Sequence, residues 1–320
     1  MNAAVVRAYD ALPGYMTFEE PVARETELLV TVTAAGLHPI VKSLANGTHY
    51  GSTGVFPFVP GVDGVGRLED GRRVYFGVVR APFGSFAEKA VTGAAMCVQL
   101  PEGMPAEVAA GLANPGMSSW AAFTARAKFV AGESVLILGA TGSAGRLAVQ
   151  IAKRMGARRV VAAGRNPEAL EKLKALGADE TISLELGREE LVAAFRGKIT
   201  GDGVDVVLDY LWGAPAEAVL AAIAQKGLSH SAPRIRFVQV GNSAGPTISL
   251  AGATLRSSGV ELLGSGFGSA SMTEIFAAIG EMFKVAAKTP FVNEVKVVAL
   301  KDVGALWGSK EEGVRLVFRP

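Results

Sequence analysis

The run Val135-Leu136-Ile137-Leu138-Gly139-Ala140-Thr141-Gly142-Ser143-Ala144-Gly145-Arg146 holds the residue types and spacing best suited to chemistry. Four apolar residues read as a buried strand, the glycines as a tight turn, and the residues from Ser143 onward as the start of a helix. Such a turn binds a pyrophosphate. Gly142 lets the backbone come close to it, and the helix-opening amides at Ser143 and Ala144 meet its charge. Gly145 allows helix and strand to pack closely. Ala140 stands where the usual fingerprint has its first glycine, so the motif is a variant. A ligand-free tight turn is the plainer reading, but the strand–turn–helix setting favours a dinucleotide site.

Twenty residues beyond Gly145 the sequence reads Ala163-Gly164-Arg165-Asn166. A site for NAD usually has a carboxylate here, holding the ribose 2′-hydroxyl. A carboxylate would repel a 2′-phosphate, whereas a guanidinium grips it with two parallel hydrogen bonds. Arg165, with Gly164 and Asn166 beside it, therefore predicts NADPH. The alternative is a solvated surface arginine.

Groups able to move a proton are few. The chain has three histidines and one cysteine, Cys97. His38, His49 and the adjacent Tyr50 are the candidate donors, and each is equally at home as a satisfied structural group. A single cysteine excludes an intramolecular disulfide and every multi-cysteine zinc site. Cys97, between Met96 and Val98, reads as a small buried hydrophobe.

Two kinds of element must position these groups. The first hundred residues are strands broken by Gly and Pro: Leu28 to Ala34, Arg73 to Val79, and one within Val91 to Leu100. From about Pro105 helices and strands alternate. Helices are expected at Ala106 to Ala113, Ser118 to Lys128, Arg146 to Met155, Pro167 to Leu176, Ala214 to Gln225 and Met272 to Ala286. Strands are expected at Ser134 to Leu138, Val160 to Ala163, Val204 to Asp209, Arg236 to Val240, Val260 to Leu263, Val295 to Leu300 and Val314 to Phe318. Such alternation means crossover connections and a parallel sheet. The fold class is α/β, a nucleotide-type domain inserted into a β-rich one.

The sequence resembles the zinc-free quinone oxidoreductase (zeta-crystallin-like) branch of the medium-chain dehydrogenase/reductase superfamily over nearly its whole length. The resemblance rests on Ala34-Ala-Gly-Leu-His38-Pro39, Pro57-Phe-Val-Pro60-Gly61-Val-Asp63-Gly64-Val-Gly66, Gly84-Ser85-Phe86-Ala87-Glu88 and Leu176-Gly177-Ala178-Asp179. It implies a Rossmann domain at 119–262 inserted into a partly open, GroES-like β-barrel catalytic domain formed by 1–118 and 263–320. It implies a homodimer through the nucleotide domains, and a nicotinamide held between domains. Ser118 takes the hydroxyl position near that ring, and Gly241-Asn242 and Gly264-Ser265-Gly266 match loops lining it. Helix capping is the competing role for Ser118. The branch's cleft asparagine is His38 here, its aspartate three residues on is Val41, and its tyrosine falls on His49. Ala169 and Leu184 replace a lysine and a tyrosine of the 2′-phosphate site. Zinc-dependent members carry an early cysteine, a Gly-His-Glu turn and a four-cysteine lobe, whereas this chain has Val62-Asp63 at the turn.

The resemblance implies hydride transfer from NADPH to a small electrophilic acceptor, a quinone or an α,β-unsaturated carbonyl, without metal. The alternative is an NADPH-binding redox sensor or structural protein that does not turn over. Met16, Phe56, Phe58, Trp212, Phe267 and Trp307 are candidates for an apolar pocket wall, with core packing the commoner fate. With 32 Lys+Arg against 30 Asp+Glu the net charge is only +2, which disfavours nucleic acid. Lys153-Arg154, Arg158, Arg159 and Arg165 form at most a modest basic rim, with no interleaved aromatic series. Hydrophobic residues make up 49%, yet no run is long enough to span a membrane. Without a secretion-signal pattern, the expected compartment is the cytoplasm.

Overall fold

The computed structural model describes residues 1–224, 232–309 and 313–320. They divide into two compact units, Met1–Met117 with Ile279–Pro320, and Ser118–Ala278. The sequence reading sets its limits at 118/119 and 262/263.

In the first unit a seven-stranded sheet runs in the order Glu294–Ala299, Val314–Arg319, Glu27–Gly36, Asp63–Arg67, Arg73–Gly77, Cys97–Gln99, with Lys89–Gly93 also paired to Glu27–Gly36. All its pairings are antiparallel except that of Glu294–Ala299 with Val314–Arg319. The chain's last strand pairs with one near its start, through Val317 opposite Gly36 and Phe318 opposite Ala35. Behind it, Val5, Leu37, Val41, Phe86, Trp307 and Phe318 share one buried cluster.

The second unit is a six-stranded parallel sheet. In chain order its strands are Ser134–Leu138, Arg159–Gly164, Glu180–Ser183, Val206–Asp209, Arg234–Gln239 and Gly259–Gly264. Numbered that way, they lie in the order 3-2-1-4-5-6 across the sheet. This is the doubly wound order, in which the chain reverses direction between strands 1 and 4 and opens a crevice at their carboxyl ends. The first strand is buried throughout, as a central parallel strand must be. Leu136, Leu138, Val161, Val207 and Phe237 from the sheet pack with Leu191, Phe195, Val219 and Ile223 from helices Arg188–Thr200 and Gly213–Ile223.

Several elements differ from the sequence reading. One helix, Ala106–Ala121, continues through Pro115 and passes into a π-helical turn, Ala122–Ala127, where two helices are expected. Buried Ala109, Leu112, Ala113, Trp120 and Phe123 hold it, so packing overrides the local break that proline favours. Strand Asp63–Arg67 is missing from the reading because Gly64 and Gly66 look like turn residues. A Cβ on Gly66 would lie 2.4 Å from the Thr31 carbonyl oxygen, so the glycine serves strand approach instead. The third early strand is split into Lys89–Gly93 and Cys97–Gln99 by a single 3-10 turn. Helices Pro39–Ala45 and Arg188–Thr200 and strands Asn2–Val5, Gly14–Thr17 and Glu180–Ser183 are also additional. The helix expected to reach Gln225 spans Gly213–Ile223, and Gln225 itself lies outside the described residues. Cys97 is half-buried, with its thiol pushed up to about 11 by burial.

Candidate nucleotide-binding site

The glycine turn leaves the first parallel strand at the crevice. The Gly139 and Ala140 amides both donate to the Ala163 carbonyl, at 3.0 and 2.9 Å, which ties the turn to the end of the second strand. Helix Ser143–Arg154 starts at Gly142, three residues earlier than expected, and no side chain caps it. Its first amides are therefore the donors left over at a helix start, beside an exposed Gly142. Gly142 and Gly145 do different work. A Cβ on Gly142 would meet nothing nearer than the Gly139 oxygen at 3.6 Å, whereas one on Gly145 would sit 2.2 Å from that oxygen. Gly142→Ala should therefore fold normally yet block the approach of a pyrophosphate. Gly145→Ala should cost the fold itself about 1–3 kcal/mol, the range for overpacking. Thermal melts with and without NADPH separate the two: only the first variant keeps its melting temperature and loses the nucleotide-induced shift.

The second strand ends at Gly164, where a Cβ would strike the Thr141 methyl at 2.5 Å. Arg165 follows, exposed, and no described residue hydrogen-bonds or ion-pairs with its guanidinium. Asn166 is occupied: its Oδ1 accepts the Ala169 amide at 3.0 Å and caps helix Pro167–Ala175. The rest of the basic rim is neutralised. Lys153 pairs with Asp179 at 2.6 Å and Arg159 with Glu180 at 2.5 Å, while Arg158 donates to the Asp202 carbonyl.

Across the crevice the fourth strand delivers Asp209-Tyr210-Leu211-Trp212, which the sequence reading passes over except for Trp212. Asp209 is buried, its carboxyl accepts the Leu211 and Trp212 amides at 2.8 and 3.0 Å, and burial pushes it up to about 6. Trp212 takes φ +57°, a strained value for a bulky residue. The Tyr210 hydroxyl lies 3.1 Å from Ser118 Oγ. A Cβ on Gly139 would lie 3.3 Å from Tyr210 Cβ, and one on Gly241 would lie 2.8 Å from the Tyr210 carbonyl oxygen. Ser118, the glycine turn, Tyr210 and Gly241 thus meet. The available signal for Tyr210 was its position, directly after a strand at the switch point. Asn242 and Gly264 line a cavity of about 370 Å³ with Trp212, Phe237, Gln239, Pro246, Leu262 and Leu263. Ser265 joins them by donating its amide to the Gln239 carbonyl, and the Gly266 amide donates to Ser269 Oγ.

The remaining candidates belong to the first unit. His38 is fully enclosed, with Nε2 3.8 Å from Asp63 Oδ1 and neither ring nitrogen in a well-formed hydrogen bond among the described residues. Burial, aided by Arg315, holds the imidazole well below its usual range. Asp63 accepts the Tyr75 hydroxyl at 2.9 Å and is pushed up to about 7 by burial. His49 stacks on Tyr50 with ring centroids 4.2 Å apart, and its Nδ1 accepts the Gly51 amide at 3.0 Å. Tyr50 is 80% exposed. Met16, Phe56, Phe58 and Trp307 pack on the first unit's core, whereas Phe267 is exposed.

A family model for the zinc-binding dehydrogenase domain matches residues 144–284. A probable NADPH-dependent quinone reductase of Emericella nidulans is 28% identical over the whole of both chains. The quinone oxidoreductase of Thermus thermophilus, solved alone and with NADPH, is 28% identical, with a TM-score of 0.78 over the whole of both chains. The chain belongs to the medium-chain dehydrogenase/reductase superfamily. An NADPH-dependent alkenal/one oxidoreductase of Arabidopsis thaliana is also similar, 31% identical over 51% of this chain and 46% of its own length. This medium-chain dehydrogenase/reductase is accordingly an oxidoreductase. Its residues do not fit the zinc in the family model's description. Among the described residues no three His, Cys, Asp or Glu side chains converge, and His38 with Asp63 supplies at most two of the four ligands required.

Proposed function

We propose that this protein binds NADPH and delivers hydride to a quinone or an α,β-unsaturated carbonyl, without a metal. The observation that carries the reading is the crevice of the parallel sheet. There an uncapped helix start and an exposed arginine, with no carboxylate in its place, end neighbouring strands. The residues present fit the cofactor. Gly142 and the Ser143, Ala144 and Gly145 amides would hold the pyrophosphate, and Gly164 and Arg165 the 2′-phosphate. When bound, NADPH supplies the hydride. The chain's own part is to position and to exclude water, with donors facing the oxygen that gains charge. Ser118 is the proposed hydroxyl beside the ring, and Gly241, Asn242, Gly264, Ser265 and Gly266 form the surrounding loops. His49 and Tyr50 are the proposed surface proton donors. The relatives named for quinones and alkenals favour these acceptor classes.

Among the described residues no helix is long and apolar enough to cross a membrane. A cytoplasmic homodimer completes the reading. Strand Gly259–Gly264 ends the sheet, and Leu262 is exposed on it, a free edge that a second copy would cover.

The test follows nicotinamide absorbance in the presence of a chelator, with NADPH or NADH offered against a small quinone and a 2-alkenal. Oxidation of NADPH in preference to NADH, undiminished by the chelator, is expected. Loss of activity on chelation removes the metal-free reading. NADPH binding without oxidation by either acceptor favours the non-catalytic sensor.

A further inference from the structure

Resting on the NADPH reading, we infer that Tyr210 is a positioning residue for the nicotinamide half of the cofactor, acting through its hydrogen bond with Ser118. In the doubly wound order a dinucleotide lies across the switch point, one half over each βαβαβ unit. Here the pyrophosphate donors follow strand 1 and Arg165 follows strand 2, so the 2′-phosphate half lies over strands 1 to 3. The other half must lie over the ends of strands 4 to 6. Tyr210 is the first residue past strand 4, against the glycine turn on one side and Gly241 on the other.

The backbone of Tyr210 is fixed on several sides. Its amide donates to the Leu138 carbonyl at 3.2 Å, and its carbonyl accepts the Ser243 hydroxyl at 3.0 Å. The neighbouring Asp209 carbonyl accepts the Val240 and Gly241 amides at 2.7 and 3.1 Å. A phenol on so fixed a backbone gives the Ser118 hydroxyl a constant partner, although Ser118 is carried by a different element, helix Ala106–Ala121. Both residues are half-buried and reach solvent, as contact with a ligand requires. Burial pushes the phenol up to about 12, so it keeps its proton throughout the neutral range.

The test compares two ligands, NADPH and 2′-phospho-ADP-ribose, which lacks the nicotinamide. Tyr210→Phe should weaken NADPH by about 3–10-fold, the loss of one hydrogen bond, and leave 2′-phospho-ADP-ribose within about twofold. At saturating NADPH, kcat should fall while the acceptor KM holds. Ser118→Ala should give the same pattern, and the double variant should lose no more than either single one. Equal weakening of both ligands, or no weakening of either, would overturn the inference while leaving the NADPH reading intact. Failure of the unaltered protein to bind either ligand would overturn both.

Discussion

Arg165→Ala is expected to weaken NADPH by about 10–150-fold and to leave NADH within about twofold, which removes the preference between the two cofactors. The magnitude is that of a hydrogen-bonded charge pair, about 1.5–3 kcal/mol. The prediction is concentrated on one residue because the surroundings offer few substitutes. Asn166 Oδ1 is committed to the Ala169 amide, and Ala169 and Leu184 carry no charge. Lys153 and Arg159 are held in ion pairs. Arg165→Lys should recover only part of the loss, since an ammonium cannot reproduce the paired donors of a guanidinium. Fluorescence titration with both nucleotides measures the effect. Equal losses for NADPH and NADH would mean that Arg165 does not meet the 2′-phosphate.

The second large effect concerns stability and pH. Asp63 is buried with Tyr75, His38 and Arg315 around it, and its carboxyl is raised to about 7. In the unfolded chain it titrates near 3.8. Between these values the folded chain holds a proton that the unfolded chain has released. Stability from this group is thus full below the lower value and is lost as pH rises to about 7, for about 4 kcal/mol in all. His38 has the opposite slope. Its folded value lies well below the usual 6.5, so acidification protonates the unfolded chain first and stability falls below that pH. The two slopes oppose each other over the mildly acidic range. Asp63→Asn, which keeps an acceptor for the Tyr75 hydroxyl, should stabilise strand Asp63–Arg67 at neutral pH and expose the His38 slope alone. Hydrogen exchange of that strand's amides as a function of pH reads this directly. A variant whose pH profile matches that of the unaltered protein would refute the assignment.

Much of the second unit was legible in the sequence because its signals are local. A continuous apolar strand, a glycine turn and an amphipathic helix succeed one another, and Ser134–Leu138 has the bounds expected. Pro167 and Asn166 likewise marked the start of a helix. Missing features depend on long-range contact. Gly66 reads as a turn until the Thr31 carbonyl is placed beside it, and Pro115 reads as a break until the buried face of its helix is known. Tyr210 and Ser118 are 92 positions apart, so no spacing rule connects them. The resemblance supplied Ser118 and the loops near Gly241 and Gly264, but not Tyr210. His38 shows the reverse case: its residue type suggested proton transfer, while its enclosed position beside Asp63 makes it part of the interior.

The pairing of Val314–Arg319 with Glu27–Gly36 also imposes an order on biosynthesis. A ribosome releases the early strands long before the segment that completes their sheet has been made. Residues Ser118–Ala278 are contiguous and can fold as soon as they emerge, because each of their strands finds its neighbours within the same stretch. The amino-terminal strands must instead wait, with their edge amides unpaired, until translation has ended. Nascent chains stalled before residue 314 should therefore engage holding chaperones through their first hundred residues, and release of the finished carboxyl terminus should end that engagement.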